Sequence, residues 1–260
     1  MPPSKDHPIR AATSDIATLL AWFPAKTWPM IRCPGCEVGL LEPSGHGEAD
    51  AVRYAESARS KNEHHEDWWD PYAVDGTFRT DLVCTRSDCG DLAVAAGSIA
   101  YELEGPPGDW VLYLRIRTLF PAVPLFRTPN ECPETVSSAV HEAGGLLLYD
   151  PAAAGARLRV AVERMLTDRG VARFQVRKHK RERLSAHERI GLLRLSDSVT
   201  ADQLEAVKWI GNEGAHGGAL TEANVLDCGE VLAASIDRIY GRRDQLVLRI
   251  TKDVNKRRGV

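Results

Sequence analysis

The sequence predicts an α+β fold in which a small β segment precedes an all-α helical bundle. Three observations carry this reading. Two cysteine pairs, Cys33/Cys36 and Cys84/Cys89, lie in the first half, and the second is flanked by strand patterns at Phe78–Val83 and Leu92–Ile99. Trp110–Leu119 alternates apolar and other residues at the period of a strand covered on one face. Beyond Cys132 the apolar residues recur at helical spacing, enough for four or more helices. Pro121, Pro124 and Pro129 read as a linker, which divides the chain into domains 1–128 and 129–260.

The length of 260 residues suits about two domains, and 43% hydrophobic residues supply an ample core. A net charge of −3 excludes a global basic field, so any nucleic-acid contact must come from a local patch. No apolar run approaches the ~20 residues that span a bilayer, and Met1–Arg10 has no signal-peptide core. The expectation is a cytoplasmic protein with no membrane contact.

In chain order, Ile9–Phe23 reads as a short amphipathic helix with Ile16, Leu19, Leu20 and Phe23 on one face, stopped by Pro24. That face packs on the next domain or meets a partner. Cys33-Pro34-Gly35-Cys36 places two thiolates around a tight turn, and Cys84 and Cys89 sit on a hairpin. This is the arrangement of a zinc ribbon, and four thiolates suit a closed, structural zinc site. A disulfide and free buried thiols are the alternatives. The insertion Glu37–Thr77 is the least interpretable part; Ala49–Ala58 reads as helical. Glu63–Asp70 reads as a solvated loop anchored by Trp68 and Trp69, although His64 or His65 is able to replace a cysteine at the metal. Cys132 and Cys228 have no neighbouring thiol and read as packing residues.

The second half opens with a helix over Pro133–Leu148. Asp150 or Pro151 starts the next, where Leu158, Ala161, Val162, Met165 and Leu166 form a core stripe and Arg159 and Glu163 stand one turn apart. Arg173–Arg183 is the most basic segment. Arg173, Arg177, Lys178, Lys180 and Arg181 are candidate RNA phosphate contacts, with Phe174 and His179 able to stack on bases; a solvated loop or helix face is the bland alternative. Thr200 and Gln203 have capping-box spacing ahead of Leu204, Val207 and Ile210. Trp209–Gly218 then reads as a glycine-rich turn holding Asn212 and His216, and Thr221 caps a last helix through Val225, Leu232, Ile236 and Tyr240. Lys256-Arg257-Arg258 reads as a disordered basic tail.

Gly211-Asn212-Glu213-Gly214-Ala215-His216 resembles the signature of the domain-of-unknown-function family DUF4145. Pro133-Glu134-Thr135-Val136, Glu142-Ala143, Ala153-Ala154, Leu158-Arg159 with Glu163, and Tyr240 match its pattern in order, and Leu184–Leu195 is similar to its middle helix. The resemblance implies a HEPN-like helical domain, of a superfamily that includes RNA-cleaving toxins and defence effectors. HEPN nucleases carry an Arg, a polar residue and then a His. Asn212 and His216 match as catalytic candidates, with Arg159 and Glu163 as a surface ion pair or as bracing or catalytic residues beneath them, but Gly211 stands where the Arg is expected. Three functions follow, in this order: a non-catalytic module that binds RNA or a protein partner in a prokaryotic defence or toxin-related system; a metal-independent ribonuclease; and a scaffold that dimerises. A homodimer through the helical domain is expected.

Overall fold

In a computed structural model, residues 12–45, 51–105, 108–215, 220–241 and 243–257 are described. The first half is not a small β segment. It builds a seven-stranded antiparallel sheet from β1 (Phe23–Pro24), β2 (Ile31–Arg32), β3 (Leu40–Pro43), β4 (Arg53–Glu56), β5 (Gly76–Cys84), β6 (Leu92–Glu104) and β7 (Asp109–Phe120). The order is β1-β7-β6-β5-β3-β2, and β4 also pairs with β5. β3 takes the Leu82–Cys84 end of that edge and β4 takes the Gly76–Arg79 end. Two pieces of the insertion thus extend the sheet. Ala49–Ala58 is accordingly corrected: Arg53–Glu56 is a strand, the helix α2 (Ala58–Glu63) follows it, and residues 46–50 lie outside the described residues.

Alternation decides which face of the sheet is covered. In β5, Phe78, Thr80, Leu82 and Cys84 are buried while Thr77, Arg79 and Asp81 are exposed. β6 continues the pattern with Ala93, Ala95 and Ile99 inward. The expected N-terminal helix is shorter than its apolar pattern: α1 is Ser14–Leu19, with Ile16 and Leu19 fully buried, and Phe23 belongs to β1. Its beginning at Ile9 lies outside the described residues.

The second half contains α3 (Glu134–Leu147), α4 (Pro151–Asp168), β8 (Phe174–Arg177), β9 (Lys180–Arg183), α5 (Ala186–Arg194), α6 (Ser198–Ala215), α7 (Glu222–Tyr240) and α8 (Arg243–Lys256). It is therefore not all-α, because the basic segment folds as a hairpin. α3 packs on α4, α4 on α6, and α6 on both α5 and α7. The stripe Leu158, Ala161, Val162, Met165 and Leu166 is buried throughout, each large side chain contributing roughly 1.5–3 kcal/mol relative to exposure. Asp150 caps α4 by accepting from the Ala153 N–H. Thr221 and Asn224 form a capping box on α7, and Ser185 and Glu188 do the same on α5.

Thr200 does not cap. It lies inside α6, and Asp197 accepts from both its N–H and its hydroxyl. The carboxylate wins because the helix starts two residues earlier, at Ser198. The expected basic tail is also corrected, since α8 runs to Lys256; Arg258 lies outside the described residues. No helix among the described residues is long and apolar enough to cross a membrane.

Contacts tie the two halves together. Val123, Leu125 and Phe126, within the proline-rich stretch, are buried in an apolar cluster that runs through both halves. Arg115 of β7 pairs with Glu222 of α7 at 2.5 Å, and Glu230 of α7 accepts from the Thr13 N–H at 2.7 Å and its hydroxyl at 2.8 Å.

Candidate functional site

The four cysteines meet at one end of the sheet. Cys33 and Cys36 lie on the loop between β2 and β3, Cys84 ends β5, and Cys89 lies on the loop to β6. Leu41 of β3 is the register partner of Cys84, and the Thr85 N–H donates to the Leu40 carbonyl at 2.8 Å. This pairing brings the two loops together despite the insertion between them. The thiol sulfurs lie within 4.8 Å of one another, with Cys33–Cys89 at 3.8 Å and Cys36–Cys84 at 3.7 Å. A tetrahedron with metal–sulfur bonds of ~2.3 Å has sulfur–sulfur edges of ~3.8 Å, so the donor set fits one metal ion.

The backbone around the cluster is shaped to it. A Cβ on Gly39 would lie 2.4 Å from Cys84 Sγ, so only glycine allows this loop to close over the sulfurs. The Gly39 N–H instead points at Cys36 Sγ, 3.3 Å away. The N–H groups of Gly39 and Val38 pull the Cys36 thiol down to about 6, whereas burial pushes Cys84 up. His64 is occupied elsewhere: its Nε2 meets Glu56 Oε1 at 2.6 Å, and neither it nor His65 belongs to the sulfur cluster. Cys132 and Cys228 are buried, and burial raises them to about 11 and about 12, as suits thiols that pack rather than react.

The expected Asn-His turn is in part a helix. α6 continues through Gly211 and Asn212 to Ala215, while His216 lies outside the described residues. Gly211 is a helix-crossing position. A Cβ there would lie 2.8 Å from Arg159 Cβ and 3.0 Å from the Gly155 carbonyl oxygen of α4. No side chain fits, an arginine least of all. The arginine beside Asn212 comes from α4: Arg159 Nη1 donates to Asn212 Oδ1 at 2.8 Å. Arg159 Nε also faces Glu163 Oε1 at 3.4 Å, with both side chains about one-third exposed. The pair thus braces α6 from the surface.

The basic segment forms an antiparallel hairpin closed by Lys178 and His179, with φ of 48° and 62°. Left-handed backbone costs L-residues roughly 1–2 kcal/mol each, and two-residue hairpin turns of this kind favour Asn-Gly. One face carries Phe174, Val176, Arg181 and Arg183, with Arg181 4.0 Å above the Phe174 ring. Arg177 pairs with Glu188 at 2.8 Å. Arg173, Lys178, Lys180, Arg181 and Arg183 have no carboxylate partner among the described residues.

At the hairpin base a groove of about 1010 Å³ opens between α3, α4 and α5, lined by Arg159, Arg164, Arg173, Arg183 and Arg189 together with Glu134, Glu163, Asp168 and Glu188. Arg189 of α5 is 5% exposed and donates to the Glu163 carbonyl, Thr167 Oγ1 and the Val171 carbonyl, tying α5 to the end of α4 and the loop that follows it. Burial lowers its pKa, and Arg173 lowers it further. Arg164, Arg183 and Arg189 were not foreseen as site residues. Arg183 closes the basic run that the sequence shows, whereas Arg164 in α4 and Arg189 in α5 lie outside it and reach the groove only through helix packing.

Residues 141–257 match the family described as domain of unknown function, DUF4145. That span runs from within α3 through α8, and so includes the Arg159–Asn212 contact and the hairpin. Residues 21–106 match a second family of unknown function, DUF8608, and this span contains all four clustered cysteines. No curated protein and no solved structure matches the chain.

Proposed function

We propose that the chain is a non-catalytic RNA-binding module, HEPN-like in its helical half, whose ribbon end is held by one structural zinc ion. The observation that carries RNA binding is the β8–β9 hairpin. Among the described residues none of Arg173, Lys178, Lys180, Arg181 and Arg183 is ion-paired, although Glu182 shares the face of Lys180, and Phe174 offers a stacking surface. Cations freed of protein partners are the groups that neutralise phosphates and release counterions. Zinc is proposed because four thiolates at these separations form a closed tetrahedral site with no position open for a substrate. A prokaryotic defence or toxin-related role follows only from the HEPN resemblance.

Binding of single-stranded RNA across a salt series tests the reading. Replacing Arg177, Lys178, Lys180 and Arg181 with alanine removes three unpartnered cations and one paired cation. At roughly 0.7 per phosphate contact, the slope of log affinity against log salt should flatten by about 2. An unchanged slope reassigns the hairpin to solvated surface.

One observation favours a second reading, a metal-independent ribonuclease. Arg159 stands at Asn212 and supplies from α4 the guanidinium that Gly211 lacks. That guanidinium is shared with Glu163, which reduces the charge it can offer a phosphate. Incubation of wild type and His216→Ala with mixed RNA separates the two readings. The binding module leaves RNA intact in both; cleavage by wild type that His216→Ala abolishes without unfolding establishes the nuclease.

A further inference from the structure

We propose that the open face of strands β4 to β7 is a second binding track, for single-stranded nucleic acid. Arg53 of β4 lies directly opposite Arg79 of β5 in the register. Directly opposed side chains on one face stand ~5 Å apart at Cβ, and like charges in that position are destabilising. Neither arginine makes an ion pair or side-chain hydrogen bond among the described residues. Two strands further on, Arg117 of β7 is likewise unpaired and lines the same depression of about 910 Å³. Ala96 and Ser98 lie between these arginines, so the floor is open rather than filled. The facing carboxylate is Asp81, two residues along β5 on the same face, and it too is unpaired. The depression itself is lined by three cations and no carboxylate, whereas Glu102 and Glu104 share the face only at the far end of β6, ~20 Å along the strand from Ala96, so the positive charge is local to the depression.

Length and aromatic content narrow the ligand. Three interstrand steps of ~4.8 Å spread the cations over ~14 Å, more than the run of charge on one nucleoside triphosphate, and this suits successive phosphates of a chain. Tyr149, on the α3–α4 connection, is 81% exposed and lines the depression. Phe120, 76% exposed, is the register partner of Val94 and shares the open face. Exposed rings beside arginines on a sheet are the elements of a sequence-tolerant stacking platform. The face belongs to the sheet and does not depend on the hairpin reading.

The test uses the full chain and a fluorescent oligouridylate of about ten nucleotides, within the range of single-strand site sizes. Arg53→Ala, Arg79→Ala and Arg117→Ala together should weaken binding at least tenfold and flatten the salt slope by about 2. Tyr149→Ala should weaken it at least fivefold with the slope unchanged, as loss of stacking requires. Arg79→Ala alone should melt at or above the wild-type temperature, because it relieves the opposed charges. The same losses should persist when the hairpin cations are already neutralised, which separates failure of this site from failure of the hairpin. Unchanged affinity and slope in the folded triple variant would overturn the proposal and leave this face to a protein partner.

Discussion

Gly211→Ala is the sharpest test of how α6 crosses α4. The added Cβ would sit 2.8 Å from Arg159 Cβ and 3.0 Å from the Gly155 carbonyl oxygen. Both atoms are fixed by the α4 backbone, so neither can swing away as the end of a long side chain can. Overpacking of this kind costs roughly 2–3 kcal/mol, and the better helix propensity of alanine returns ~1 kcal/mol. The net loss of about 1–2 kcal/mol lowers the melting temperature by roughly 2–8 °C in a chain of this size. Gly191 in α5 is the control, since a Cβ there meets nothing within 4 Å. Gly191→Ala keeps only the propensity term and should raise the melting temperature by about 2–4 °C. Identical chemistry then gives opposite signs at two helical glycines, read by circular dichroism melts at equal metal content. Gly211→Ala melting at or above wild type would refute the close-crossing argument and reopen position 211 to a side chain.

Two further outcomes follow from the cysteine cluster and a helix cap. Metal analysis should find one zinc per chain, and Cys84→Ser should strip hydrogen-exchange protection from β2, β3 and β5 while α4 and α6 keep theirs; an absence of zinc with all four thiols titratable in the folded protein would sink the site. Asp197→Ala should cost about 1 kcal/mol at neutral pH as a lost cap. The Thr200 hydroxyl, the Thr200 N–H and Arg238 hold the Asp197 carboxyl below its ordinary range. A depressed carboxyl stabilises above its unfolded pKa and loses that contribution as pH falls through the folded one. The gap between wild type and variant in urea melts should therefore close below the carboxylate range; a gap that persists there would assign the effect to packing.

The sequence made the cysteine cluster legible because thiols that can share one ion must meet wherever the chain carries them. It made β5, β6, β7 and the buried stripe of α4 legible because their periods are strong and local. β3 and β4 were not legible: each is four residues long and exists by pairing with β5, a non-local contact that no short window reports. The hairpin was missed because Lys178-His179 lacks the Asn-Gly signal such turns favour. Gly211 read as a turn because glycine commonly breaks helices, whereas here it marks where another helix comes close. That same crossing leaves no room for a side chain at position 211, and the guanidinium that reaches Asn212 comes from Arg159 on the facing helix, a contact that reading along one segment does not reveal.

The contact between Glu230 and the backbone of Ala12 and Thr13 has a consequence for synthesis. The partners are 218 and 217 residues apart in sequence, so the start of α1 cannot acquire this cap until α7 has left the ribosome. At ~5–20 residues per second, the delay is on the order of ten seconds or more. The strands and cysteine loops, all complete by residue 120, are free to pair while Ile16 and Leu19 still lack part of their final setting. The N-terminal segment is then a late clasp, fastened after both halves exist. A ribosome stalled before residue 230 should carry a nascent chain whose sheet resists protease while its first helix remains open to cleavage.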